Sequence, residues 1–379
     1  MAKPPGINLS VPYHRQGSAE YCSGACLQML LEWAGIPDSS WTPSTQSVLR
    51  TSVDNWPIPT TFGFGFPLGV ALTFNRYRPS DGGFPDGVRL ETTPLPYEAC
   101  GTMVDALFEH KNPSIALVLR GSHYVVVTGA ETDVDPRSNR DYSLIALWIH
   151  DPEPTLRGTS EHITFGAWLY MQFNGSTDFF PNPFVCVVDA RARTRIPRLP
   201  PPEKPSSTFG NANEIITDPK LLIQGAKLAL QQHGLAEAIK NVDAHNPGDV
   251  MFASSLRGDT GETAWYVVPF FNANSPTQTL VMLDAFTGAY LGARFGVPTA
   301  NYVYSADAAL SLAEFAFQDE RLSRAQSRSL SFDVRPQLMW RPCLESTSPY
   351  NGFYRITVAG PSYKYVRVDG RVFDRLTPR

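Results

Sequence analysis

"HRQGSAEYCSGACLQMLLEWAG" (His14–Gly35) decides how the chain is read. Polar and glycine residues crowd around Cys22, and an apolar run begins directly behind it. Leu27, Leu30 and Leu31, with Met29 and Trp33, give that run one face, and Gly35 then Pro37 end it. The spacing predicts a helix over about Cys22–Trp33, with the thiol at its mouth. A buried structural cysteine needs no such position. A thiol attacks a carbonyl only as the thiolate, and a helix N-terminus offers partial positive charge and N–H groups that favour the anion.

Gln16, six residues before Cys22, completes the local pattern. Acyl transfer generates an oxyanion that needs donors fixed in advance. The Cys22 backbone N–H is one candidate donor, and the Gln16 side-chain amide is a second. The base should come from another element. Of seven histidines, His123 in "RGSHYVVVTGAE" has the best setting, at the start of a strand after a glycine–serine turn. Asp151, at the end of "LIALWIHDPEP", is the candidate that orients the imidazole. Antiparallel pairing of the two strands would make these positions neighbours, depending on register. Each residue also has a plainer reading. Cys22 as a spare thiol, Gln16 as a surface amide and Asp151 as a strand terminator are the alternatives. His150 replaces His123 if the strand register differs by one. Phe62, Phe64 and Phe66 read as a core plug or as a wall of a substrate cleft.

The segments "VPYHRQGSAEYCSGACLQMLLEWAG", "GSHYVVVTGAE" and "WIHDPEP" resemble the papain-like cysteine peptidases of the bacteriocin-leader-processing, double-glycine type and their stand-alone relatives. The resemblance covers about Leu9–Ala190. It implies Gln16 as oxyanion-hole residue, Cys22 as nucleophile, His123 as general base and Asp151 as its orienting partner. Ser23-Gly24-Ala25 departs from the commoner glycine-proline-alanine, and Ser122 is inserted before His123. The chain has neither the transmembrane nor the nucleotide-binding regions of the family's transporter members. Cleavage coupled to export by the same polypeptide is therefore not expected.

The 379 residues allow two or three domains, and 42% hydrophobic against 18% charged residues describes a chain that buries real cores. A net charge of −4 creates no global field for nucleic acid or anionic membrane. No apolar run is long enough to span a bilayer, and "MAKPPGINLS" does not read as a secretory signal. Five cysteines without framework spacing suggest reduced thiols, hence a cytoplasmic location, with signal-less export the alternative. Cys22 and Cys26 have a metal-ligand spacing, but no second cysteine pair follows. No metal or cofactor is expected. Cys26, Cys100, Cys186 and Cys343 read as packing.

"RIPRLPPPEKPSSTFGNAN" (Arg195–Asn213) divides the chain, because successive prolines favour an extended connector. The expected organisation is a papain-like domain at 1–195, a proline-rich linker at 196–212 and an accessory region at 213–379. The basic "RARTRIPRLP" reads as part of a solvated linker. The first domain is expected to be α+β, with helices first and an antiparallel sheet afterwards. Its elements include a helix after the phenylalanine-rich loop, a helix at Pro96–Pro113, and strands at "SIALVLRG", "HYVVVTGA", "YSLIALWIHD" and "FVCVVDA". The accessory region reads as a duplication of a helix followed by about three strands. The copies are approximately 213–300 and 301–379, with helices at about Pro219–Val242 and Ala306–Ala325. Asp284–Gly288 in the first corresponds to Asp369-Gly370 in the second, each a hairpin signal. "LVMLDAFTGAYLG" also looks like the regulatory modules that accompany peptidases.

The expected function is peptide-bond hydrolysis through a Cys–His–Asp thiolate site acting on a peptide or protein. A deamidase, transamidase or isopeptidase uses the same machinery with another acceptor or bond. A non-catalytic peptide-binding module is the reading from a different class. The accessory region is expected to dock on the catalytic domain or to recruit substrate.

Overall fold

The helix behind the cysteine is buried on more than one face. In α1 (Cys22–Trp33) every residue from Cys22 to Leu31 is buried, as befits a helix that forms the centre of a core. Fully burying each of its leucines contributes about 1.5–3 kcal/mol. Its C-terminus closes through the Ile36 N–H, which donates to the Leu31 carbonyl at 3.1 Å. No side chain caps its N-terminus.

The computed structural model describes residues 5–40, 42, 44–56, 66–153, 160–176, 182–198, 215–235, 242–255, 264–272, 276–300, 302–324, 336–341, 343, 345–346, 348–358 and 362–377. The chain divides into two compact units, Met1–Pro202 and Glu203–Arg379. Both contain helices and antiparallel strand pairs, so the fold is mixed α+β.

In the first unit α1 is preceded by β1 (Gly6–Asn8). It is followed by α2 (Thr45–Asp54), α3 (Pro67–Tyr77), β2 (Val88–Thr93), α4 (Pro96–His110), β3 (Ser114–Val118) and β4 (His123–Thr132). Then come β5 (Leu144–His150), β6 (Ser160–Thr164), the single turn α5 (Phe165–Ala167) and β7 (Phe184–Asp189). The strand order β6-β5-β4-β3-β7-β2 is antiparallel throughout, and β1 pairs with β4 beyond the end of β3. All ten residues of β4 are buried, the apolar Tyr124–Val127 together with the polar Thr128, Glu131 and Thr132. The helix α1 packs on β4, α2 and α3, and its leucines join Val70, Phe74, Ile115 and Val126 in one core.

The sequence reading assigns no element to α2, β1, β2 or β6. Helices therefore do not simply precede the sheet, because β1 and β2 are interleaved with them. The basic stretch is also corrected. Arg191 pairs with Asp189 (2.8 Å), Arg195 with Asp105 (2.6 Å) and Glu109 (2.9 Å), and Arg198 with Asp133 (2.8 Å) and Asp141 (3.0 Å). A β-carbon on Gly101 would lie 1.6 Å from the Arg195 carbonyl oxygen, so this segment lies directly against α4. Residues up to 198 thus belong to the folded unit. The remainder of the expected linker, 199–212, lies outside the described residues.

Each helix of the second unit is followed by strands, five after the first and four after the second among the described residues, where about three were expected. The helix α6 (Pro219–Gln232) precedes β8 (Val242–Pro247), β9 (Met251–Ser255), β10 (Ala264–Asn272), β11 (Thr277–Asp284) and β12 (Tyr290–Pro298). The helix α7 (Ala306–Arg324) precedes β13 (Gln337–Trp340), β14 (Phe353–Val358), β15 (Ser362–Arg367) and β16 (Val372–Phe373). The first helix ends at Gln232, ten residues short of the expected Val242, which instead begins a strand. Each half closes a four-stranded meander, β9–β12 and β13–β16, and β9 pairs in parallel with β13. β8 pairs with β10. The Asp284–Gly288 and Asp369-Gly370 turns occupy the same place, between the third and fourth strands. Among the described residues no helix is long and apolar enough to cross a membrane.

Candidate active site

The mouth of α1, the start of β4 and the end of β5 converge. β4 and β5 are antiparallel with Val126 opposite His150, so Asp151, one residue past β5, comes level with the first residues of β4. The His123 Nε2 and Asp151 Oδ1 atoms are 2.8 Å apart. Both side chains are buried, 1% exposed each. The backbone N–H of Glu153 also donates to Asp151 Oδ1, at 3.0 Å, and the Tyr13 hydroxyl donates to the Asp151 carbonyl at 2.9 Å. The Glu153 N–H thereby holds the carboxylate and the Tyr13 hydroxyl holds the backbone that carries it.

Cys22 is the other side chain that raises the imidazole. With Nε2 taken by Asp151, Nδ1 is the nitrogen left to serve a thiol, and it has no hydrogen-bond partner among the described residues. Burial pulls the His123 imidazole down. The charge and hydrogen bond of Asp151, then the Cys22 thiol, outweigh burial and push the ring up to about 9. The imidazolium is therefore the form held at neutral pH, next to a sulfur at a helix N-terminus. That combination favours the thiolate.

His150, the rival of His123, is used differently. Burial lowers it to about 4, and its ring meets Tyr13 edge-on at 5.6 Å. It stays neutral at pH 7 and makes no ion pair with Asp151. Cys26, one turn further along α1, is pushed well above the ordinary thiol range by burial and by the charges of Cys22 and Asp151. Burial raises Cys100 to about 12, and Cys343 to about 12 with Glu345 adding to it, while Cys186 is pushed well up by burial. All five cysteines are buried and none is in a disulfide. Cys22 alone among them has an imidazolium beside it.

Gln16 is buried (1% exposed) between exposed Arg15 and Gly17. Its backbone N–H donates to the Pro152 carbonyl at 2.7 Å, one residue from Asp151, and its Oε1 has no hydrogen-bond partner. His14, two residues earlier, pairs with Glu32 of α1. The loop that carries Gln16 is thus tied both to α1 and to the Asp151 segment. Phe66 is half-buried at the start of α3, whereas Phe62 and Phe64 lie outside the described residues.

Sequence reasoning missed Tyr13, Tyr124 and Gln46. Tyr124 follows His123 and is buried. Its hydroxyl is pushed well above the ordinary range by burial, and the Cys22 charge adds to that. Its adjacency to His123 was the available signal. Gln46 has no local signal, because its partners lie about thirty residues away.

The second unit holds a cavity of about 960 Å³, whose lining includes Asp249, Met251, Phe286, Tyr304, Leu338 and Tyr354. Among the described residues its lining contains neither cysteine nor histidine. No family model, no curated protein and no solved structure matches the chain.

Proposed function

We propose that the first unit is a papain-like cysteine peptidase that cleaves peptide bonds through a thioester. One observation carries this reading: a buried imidazole bonded to Asp151 through one nitrogen, with its other nitrogen uncommitted and Cys22 among the groups that raise it. The resemblance of the Cys22, His123 and Asp151 segments to leader-processing peptidases supports the same assignment.

In this mechanism the Cys22 thiolate attacks the scissile carbonyl carbon, forming an S–C bond and moving the carbonyl electron pair onto oxygen. The Gln16 amide and the Cys22 N–H are assigned to that oxyanion. His123 gives its proton to the leaving nitrogen, the C–N bond breaks and the amine departs. A water molecule then attacks the thioester carbonyl while His123 takes its proton. The C–S bond breaks to give the acid and restore the thiolate–imidazolium pair. Asp151 holds the ring's orientation and stabilises its charge without taking the proton.

Treatment with a thiol-directed peptide electrophile, followed by peptide mapping, tests the assignment. We expect a single adduct at Cys22, absent in Cys22→Ala. An adduct retained in that variant would remove the proposal. Mass spectrometry of treated peptides identifies the acceptor: chain scission fits hydrolysis, while a one-dalton gain without scission fits deamidation.

We further propose that the second unit recruits substrate or covers the first. A tethered module has a high effective concentration at its neighbour. Turnover by residues 1–202 should differ from that of the full chain, on small peptides for a cover and on protein substrates for recruitment. Equal rates on both would dismiss the idea.

A further inference from the structure

The loop of Gln16 is gripped from both sides by one residue of α2. The Gly17 backbone N–H donates to Gln46 Oε1 at 2.8 Å. The Gln46 Nε2 group donates to the Arg15 carbonyl at 2.8 Å and to Gln28 Oε1 at 3.1 Å. A single amide therefore fixes the peptide groups immediately before and after Gln16. Gln28, buried in α1, fixes which end of that amide faces which group. A reversed Gln46 amide would set its Nε2 against the Gly17 N–H and its Oε1 against the Arg15 carbonyl.

Packing enforces the arrangement. A β-carbon on Gly24 would stand 2.4 Å from the Gln46 carbonyl oxygen, so α2 crosses α1 in contact, two residues after Cys22. Any side chain at position 24 would hold α2 away and pull Gln46 from the loop. The departure Ser23-Gly24-Ala25 therefore has a function in this chain: the glycine admits α2. Arg50, one turn after Gln46, adds a weaker tie by donating from Nε to the Glu20 carbonyl at 3.3 Å. The loop leading into Cys22 is thereby braced by α2 at Arg15, Gly17 and Glu20.

We propose that Gln46 is the positioning residue of the oxyanion hole, holding Gln16 in place for the charge that develops on the substrate. The proposal rests on the peptidase reading, in which Gln16 is a donor. Gln46 itself touches neither the thiol nor the substrate. A fixed donor is worth most when it needs no reorganisation during the reaction, and the clamp supplies that rigidity to a residue flanked by solvent-exposed neighbours.

Two reactions at the same sulfur separate this role from a general one. Alkylation of Cys22 by iodoacetamide is a displacement at carbon and forms no oxyanion. Acylation by p-nitrophenyl acetate passes through one. In the full-length protein, Gln46→Met keeps the side-chain length and removes all three hydrogen bonds. We expect it to slow acylation by about 10- to 100-fold, a part of the roughly 10²–10³-fold lost when an oxyanion donor is deleted outright. Its alkylation rate and the pH profile of alkylation should stay within about twofold of the parent, since both report only the thiolate and its imidazolium.

The double variant Gln16→Ala/Gln46→Met should be no slower in acylation than Gln16→Ala alone, because residues acting as a unit are not additive. Equal losses in both reactions, or a Gln46 effect that persists in full without Gln16, would overturn the proposal. Should Gln46→Met not fold, Gln28→Leu removes only the acceptor that orients Gln46, and it is expected to show the same selective loss, smaller in size. Loss of both rates together in Gln28→Leu would count against the clamp. If the parent protein shows neither reaction at Cys22 faster than free cysteine does, the peptidase reading itself fails, and the positioning role fails with it. A fast parent with an unaffected Gln46→Met defeats the positioning role alone.

Discussion

Two sets of polar groups, one from each unit, are used in contrasting ways. In the first, polar partners meet from distant parts of the chain: His123 with Asp151, Arg195 with Asp105, and Asn112 with Asp189 at 2.6 Å. In the second, the Asp284 and Asp369 carboxylates close local turns. Asp284 Oδ1 accepts from the Phe286 N–H (3.0 Å), the Thr287 N–H (2.8 Å) and the Thr287 hydroxyl (2.8 Å). Arg367 pairs with Asp369, two residues on, at 2.7 Å. A pair made within a turn stabilises that turn and little else. A pair made across elements fixes elements relative to one another, and this is what a reacting constellation requires. The contrast is what the proposed function requires of the first unit, with the turns of the second acting as scaffolding.

Asp151→Asn should break the contrast most severely. The amide keeps the shape but loses the charge that opposes burial at His123, so the imidazole falls back toward the neutral form. Acylation of Cys22 should drop by about 10²- to 10⁴-fold, read by stopped-flow with p-nitrophenyl acetate. Unlike Gln46→Met, this variant should also lose fast alkylation at neutral pH. Retention of the parent alkylation rate would show that the thiolate does not depend on the Asp151–His123 pair.

Asp284→Ala should have the smaller and opposite signature. Three hydrogen bonds to one carboxylate oxygen are removed, at a cost of about 1–3 kcal/mol in the stability of the second unit. Differential scanning calorimetry should register the loss, while Cys22 alkylation in the same sample stays unchanged. A fall in Cys22 reactivity would mean that this turn does more than close a hairpin.

The elements of the candidate site were legible because each is a short local pattern. The helix behind Cys22, the strand of His123 and the Asp151 terminus follow from apolar runs and their boundaries, and Cys22, His123 and Asp151 are brought together. What escaped was made by distant pairing. The helix α2 buries only Thr45, Leu49 and Val53, too few to mark a face on an otherwise polar segment. The strand β6 reads "SEHIT" yet buries Glu161 and His162, reversing the expectation that such residues face water. The arginines after β7 looked like a solvated tether because their acidic partners are mostly sixty or more residues away. The C-terminal end of α6 was overrun because the stop at Gly234, which adopts the left-handed region just past the helix, was passed over for the apolar residues beyond it.

The charge state of His123 is the central claim, and it also sets a pH dependence. A group raised from 6.5 to about 9 in the folded state contributes stability that is fully present below about pH 6.5. That contribution is lost as pH rises through about 9. In the proposed mechanism, the proton that His123 delivers to a leaving amine disappears over the same upper range. Nitrogen-15 NMR of the His123 imidazole, followed from pH 6 to 10 in the full chain, reads this directly. We predict both ring nitrogens protonated at pH 7.5, with loss of a proton near pH 9 and a lower titration in Cys22→Ala. A neutral imidazole at pH 7.5 in the parent protein would contradict the account.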